Sequence, residues 1–153
     1  MHKEKHSGRS QTPTTVEPGG FILGLHHVQL ASPEGSEAEA RRFFGQVLGL
    51  KEITKPPNLR RKGGVWFQAG DNEVHIGVVS RKDFRPNQKA HPAFEVVDLG
   101  VVRALLEANG ILTDAGDPLE GTARLYTKDP FGNRLEFIED RRPKSARRKV
   151  AKY

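Results

Sequence analysis

The chain has 153 residues, no cysteine, a hydrophobic fraction of 35% and a net charge of +6. That length suits one domain, or two small repeats on a shared core, and the lack of cysteine excludes disulfides and thiolate metal sites. No apolar run approaches the ~18 residues of a membrane span and the N-terminus has no apolar signal core, so a cytoplasmic protein without membrane contact is expected.

The charge is unevenly spread. Residues 141–153 carry seven Lys/Arg and no acid; residues 1–19 carry three bases and two acids. The remainder, 20–140, has fifteen bases and seventeen acids, a net −2. Both ends are poor in apolar residues and read as tails around one folded body, 20–140. The basic C-terminal tail could contact nucleic acid through counterion release, but a solubilising end is the simpler reading, and the near-neutral body shows no basic face.

In chain order, a strand is expected to end at Ala31, with His27, Gln29 and Ala31 on one face and Val28 and Leu30 on the other. Ser36 and Glu39 have the spacing of a capping box. Ala40, Phe43, Phe44, Val47 and Leu48 then form the apolar stripe of a helix that Gly49 ends. A short strand over 50–54 and a basic, proline-bearing loop over 55–64 follow. Residues 65–69 and 73–79 read as a hairpin about Gly70-Asp71-Asn72, with His75 on the face of Glu73 and Gly77.

After a polar linker over 80–90 the order recurs. Residues 91–97 form a strand, with Pro92 at its start or on an edge. Asp98 caps a helix with Val102, Leu105 and Leu106 inward, and Asn109-Gly110 ends it. A strand over 111–113 precedes a hairpin of 123–128 and 134–138 about the turn 129–133, in which Asn133 is most simply a turn residue. Strand, helix, three strands therefore occurs twice, over about 22–80 and 90–139. His27 and His91 hold matching places on the first strand of each repeat, and His75 and Glu136 on the last. Any one histidine alone is most simply structural; four metal-competent side chains at matched positions, each facing away from its apolar neighbours, are expected to line one cavity.

Four motifs carry a resemblance. They are Leu25-His26-His27-Val28-Gln29-Leu30-Ala31, Phe43-Phe44-Gly45-Gln46-Val47-Leu48-Gly49-Leu50, His91-Pro92-Ala93-Phe94, and the run from Asp129-Pro130-Phe131-Gly132-Asn133 through Glu136-Phe137. Together they resemble the vicinal oxygen chelate superfamily: glyoxalase I, extradiol dioxygenases, fosfomycin-resistance thiol transferases, methylmalonyl-CoA epimerase and metal-free bleomycin-resistance proteins. The resemblance implies an α+β fold of two βαβββ modules, eight strands curled around a metal cavity. It implies His27, His91 and Glu136 as ligands of one divalent ion (Fe, Mn, Ni, Co or Zn), and a homodimer that shares each site across its interface. Where glyoxalase I has a fourth ligand this chain has His75, which is then a ligand, a substrate contact or a base; Glu136 could also act as a base.

Two histidines and a carboxylate leave open positions for a small-molecule substrate with two adjacent oxygens. The expected chemistry is of the lyase, isomerase, dioxygenase or thiol-transferase kind. Gln29, Trp66, Lys89, Arg124 and Tyr126 are the candidate substrate contacts, Lys89 and Arg124 for a carboxylate or phosphate. The alternative is a metal-free drug- or metabolite-binding protein on the same fold, though such a protein has no need of all three ligands.

Overall fold

The computed structural model describes residues 22–143 and Ser145, with Pro118 excepted. The expected N-terminal tail, 1–19, and most of the basic tail lie outside these residues, as does any nucleic-acid contact through that tail.

Strand β1 is His27–Pro33, and its inward residues, Leu30 and Ser32, are buried. Helix α1 (Glu37–Ala40) continues as a π-helix, Arg41–Val47, in which Leu48 N–H reaches back five residues to Phe43 O at 2.9 Å. The apolar stripe survives the wider turns: Ala40, Phe43, Phe44 and Val47 are buried, and Phe44 packs on Phe67 at 5.7 Å between centroids. Gly49 ends the helix at φ 71°, the left-handed conformation glycine adopts without steric cost. The expected capping box does not form. Ser36 Oγ donates instead to Pro33 O at 2.5 Å, and no side chain caps the helix.

Strand β2 (Lys51–Ile53) leads through a 3-10 turn, Pro57–Lys62, to the hairpin of β3 (Val65–Ala69) and β4 (Asn72–Val79). These form a mixed sheet in the order β1-β4-β3-β2, with β1 parallel to β4. The second module repeats the plan. Strand β5 is Ala93–Glu95, shorter than the 91–97 expected, with Pro92 just before it. Asp98 caps α2 (Leu99–Ala108), its carboxylate accepting from Gly100 N at 2.8 Å and Val101 N at 3.1 Å. Strands β6 (Asp114–Ala115), β7 (Thr122–Lys128) and β8 (Arg134–Asp140) complete the order β5-β8-β7-β6, with β5 parallel to β8.

The chain is thus α+β, two βαβββ modules, each a four-stranded sheet with its helix on one face. The two sheets stay separate within one chain rather than closing into a single barrel. Leu106 is buried as expected, but Leu105 is 40% exposed. It lines a groove of about 1230 Å³ between the modules with Val28, Leu50, Phe94 and Val102. A polar tie spans the modules: Asn133 Nδ2, in the turn before β8, donates to Ala31 O on β1 at 2.8 Å.

Candidate functional site

The helix-free face of each sheet carries one polar cluster. On the first sheet, strand pairing sets Gln29 and Trp66 on either side of His75. The His75 ring lies on Trp66 at 3.8 Å between centroids, 2° from parallel, and on His27 at 4.2 Å, 18° from parallel. These rings leave His75 only 4% exposed although it faces away from the apolar core. Its Nε2 donates to Glu73 Oε2 at 2.7 Å. Burial pushes the His75 pKa down, against the Glu73 hydrogen bond that raises it. The same hydrogen bond lowers the pKa of Glu73. His27 is exposed, with its Nδ1 3.0 Å from that of His26. The Gln29 amide lies over Gly77, where a Cβ would stand within 3 Å of it.

On the second sheet, His91 Nε2 meets Glu136 Oε2 at 2.9 Å. His91 Nδ1 donates to the Lys89 carbonyl at 2.8 Å, which turns Nε2 toward the carboxylate. Arg124 Nη1 reaches Glu136 Oε1 at 3.1 Å and Tyr126 Oη at 3.0 Å. Two bonds to the Asp117 carbonyl, at 3.0 Å from Nε and 2.7 Å from Nη2, hold the guanidinium in place. Glu136 is 5% exposed, so a buried carboxylate has both oxygens engaged. The Arg134 guanidinium covers the Tyr126 ring at 3.9 Å.

Sequence-derived residues therefore meet in two pairs, His27 with His75 and His91 with Glu136. Among the described residues no group of three or more His, Asp or Glu stands close enough to hold a metal ion. Trp66 joins the first pair; Arg124 and Tyr126 join the second. Lys89 contributes its backbone carbonyl to His91. Three participants were not singled out from sequence. Glu73 was legible, two residues before His75 on the same strand face. Arg134 shares the Glu136 face by the same rule, but its stacking on Tyr126 depends on the β7–β8 register. The Asp117 carbonyl belongs to a loop contact without a sequence signature.

The donor chemistry suits a divalent metal. An imidazole whose other nitrogen donates to a carbonyl, aimed at a buried carboxylate, is the arrangement in which metal-binding histidines are held. The two nearly parallel rings of the other pair make a different point. A ligated ion lies near the plane of each imidazole it binds, and the rings of this pair stand stacked, 18° from parallel.

Residues 24–137 match the Glyoxalase/Bleomycin resistance protein/Dioxygenase superfamily, and the chain belongs to it. The superfamily includes many enzymes, among them glyoxalases. A glyoxalase family protein from Bacillus anthracis is 43% identical, with a TM-score of 0.75 over 79% of this chain and 98% of that one. A glyoxalase/dioxygenase from Nostoc punctiforme shares the fold at 21% identity, TM-score 0.67, over 85% and 99% of the two chains. So does a lactoylglutathione lyase from Agrobacterium tumefaciens, at 19% identity and TM-score 0.59, over 77% and 94%. No curated protein matches the chain.

Proposed function

We infer that the protein is a metal-dependent enzyme acting on a small molecule with adjacent oxygens. His27, His91 and Glu136 are the ligands of one divalent ion. Because the two pairs lie apart within a chain, His27 of one protomer joins His91 and Glu136 of a second in a homodimer. The observation that carries this reading is His91 Nε2 held 2.9 Å from a buried Glu136 carboxylate. When bound, such an ion supplies Lewis acidity to the substrate oxygens.

The chain's own residues supply the rest. Burial disfavours the charged form of His75 and Glu73 holds its Nε2, so His75 is the group we assign to accept a proton from bound substrate. Its near-parallel stacking on His27 favours this role over that of a fourth ligand. Arg124 and Tyr126 face the Glu136 carboxylate and are placed to bind a substrate oxygen. Gln29, opposite His75, adds a neutral donor and acceptor.

One observation favours the metal-free binder as a second reading. Arg124 and His91 already occupy both oxygens of Glu136, so the buried charge is compensated without an ion. Calorimetric titration of chelator-treated protein with Ni, Mn, Zn and, anaerobically, Fe(II) decides between them. At least one metal should bind more tightly than about 0.1 mM, and Glu136→Gln, which removes the anionic ligand, should weaken it. If no metal binds, or the variant binds equally well, the metal-free reading replaces this one.

A further inference from the structure

Trp66 has a second neighbour besides His75. The Lys55 ammonium stands 5.9 Å from its ring centroid, within cation–π reach. Both residues belong to the wall of a cavity of about 460 Å³ that Arg41, Glu52, Ile53 and Arg60 also line. Ile53 is the cross-strand partner of Trp66, and Trp66 that of His75. The cavity therefore sits at the β2 edge of the sheet, where Ile53 and Trp66 from the His75 face meet Arg41 and Glu52 from the helix side, and Trp66 is shared between the cavity and the His75 cluster.

Its charges do not cancel. Arg41 and Glu52 neutralise each other at 2.9 Å. Lys55 donates to the Gly63 carbonyl, and Arg60 Nε donates to the Lys55 carbonyl at 3.1 Å. Both acceptors are neutral, and among the described residues neither cation has a carboxylate within ion-pair distance. Glu37 feels the charge of Lys55 and offsets part of it, but it stands outside the cavity lining, its Oε1 accepting from the Gly64 N–H at 3.0 Å. The result is a concavity with two cations, each held by one backbone bond, beside a flat aromatic wall. The guanidinium Nη groups of Arg60 remain available for a forked contact to two oxygens.

We propose that this cavity is an anion subsite, taking the carboxylate or phosphate of a small acid whose flat or apolar middle lies on Trp66. The proposal rests on the enzyme reading above for what the far end of that molecule does at His27 and His75. Binding of the anion itself does not depend on it. Holding Lys55 and Arg60 in place beforehand lowers the entropy lost on binding, and oxygens shared between an ammonium and a guanidinium form charge-assisted bonds.

Trp66 is the single tryptophan of the chain, so its emission reports this wall alone. Chelator-treated full-length protein is titrated at constant ionic strength with inorganic phosphate and, separately, with succinate. A saturable emission change with a dissociation constant of about 1–10 mM is expected in at least one arm. The responding arm identifies the phosphate or carboxylate end. Arg60→Ala, an exposed-site change, and Lys55→Met should each weaken it about tenfold, while Lys82→Ala leaves it unchanged. No saturable change in either arm, or full affinity in Arg60→Ala, overturns the proposal. Metal binding without anion binding rejects this subsite alone; anion binding without metal binding rejects the metalloenzyme reading and leaves the subsite standing.

Discussion

Two aromatic neighbours, not the apolar core, bury His75, and that burial sets its proton affinity. Its folded pKa lies below the unfolded value of about 6.5, so below that pH the unfolded chain binds more protons than the native one. Stability therefore falls as pH drops through about 6.5 toward the folded pKa. Glu73, with its pKa lowered, contributes stability above its ordinary value near 4.5 that is lost as pH falls through the depressed one. Urea midpoints of the wild type should drop between pH 7 and pH 5.5, and His75→Phe, which keeps a stacked ring but cannot titrate, should flatten that drop. An equally steep drop in the variant would assign the pH dependence elsewhere. The side to which His75 points was legible, because strand alternation needs only the parity of residues 73–79. Its stack on Trp66 was not, because it depends on the register between β3 and β4.

Among the elements, the turn before β8 shows most clearly what sequence conveys and what it omits. Asp129 and Gly132 announce a turn, and Asn133 suits one. The structure adds that Asp129 is buried and accepts from Phe131 N at 2.9 Å, Asn133 N at 2.8 Å and Asn133 Nδ2 at 2.7 Å. Burial nonetheless raises the Asp129 pKa. Because Asn133 also donates to Ala31 O, it joins a turn of the second module to the first strand of the chain, across 102 residues. Asn133→Ala leaves a buried carboxylate oxygen and a strand carbonyl short of donors and should cost about 2–4 kcal/mol, read from the denaturant midpoint. A cost below about 0.5 kcal/mol, the range of surface substitutions, would show the tie is incidental. Helix α1 was legible as an apolar stripe but not as a π-helix, since Phe43, Phe44 and Val47 reach the core with either winding. The capping box does not form because the Ser36 backbone, at φ −102° and ψ 11°, is not extended, and its Oγ is turned to donate to Pro33 O rather than to accept from the first turn.

At the scale of the whole chain, the twofold strand–helix–strands plan was readable from periodicity, and so was the matching of His27 with His91 and of His75 with Glu136. The separation of the two sheets was not, because how modules pack is a property of surfaces rather than of strand patterns. The ends invite a direct test. Arg141 N donates to Gly121 O at 2.9 Å, and Arg142 pairs with Asp140 at 2.8 Å, so these two residues are tied to the fold. Removing 1–19 together with 144–153 should leave the unfolding midpoint unchanged, whereas cutting at 141 should lower it measurably. A large loss from the shorter cut would place structural contacts in the tails. No helix among the described residues is long and apolar enough to cross a membrane.

The division of metal-competent residues into two pairs has a consequence for how the protein would respond to its own abundance. If an ion needs His27 from one chain and His91 with Glu136 from another, a lone protomer offers too few donors to retain it, and loading couples to association. Apparent metal affinity would then rise with protein concentration, and in a dilute sample the amount of loaded dimer would grow with the square of total chain, the loaded fraction in proportion to it, until dimer dominates. Titrations repeated across a hundredfold range of protein concentration should show that shift. A midpoint independent of concentration would mean that a single chain binds the ion, or that the dimer persists at the lowest dilution, and sedimentation at that dilution separates the two.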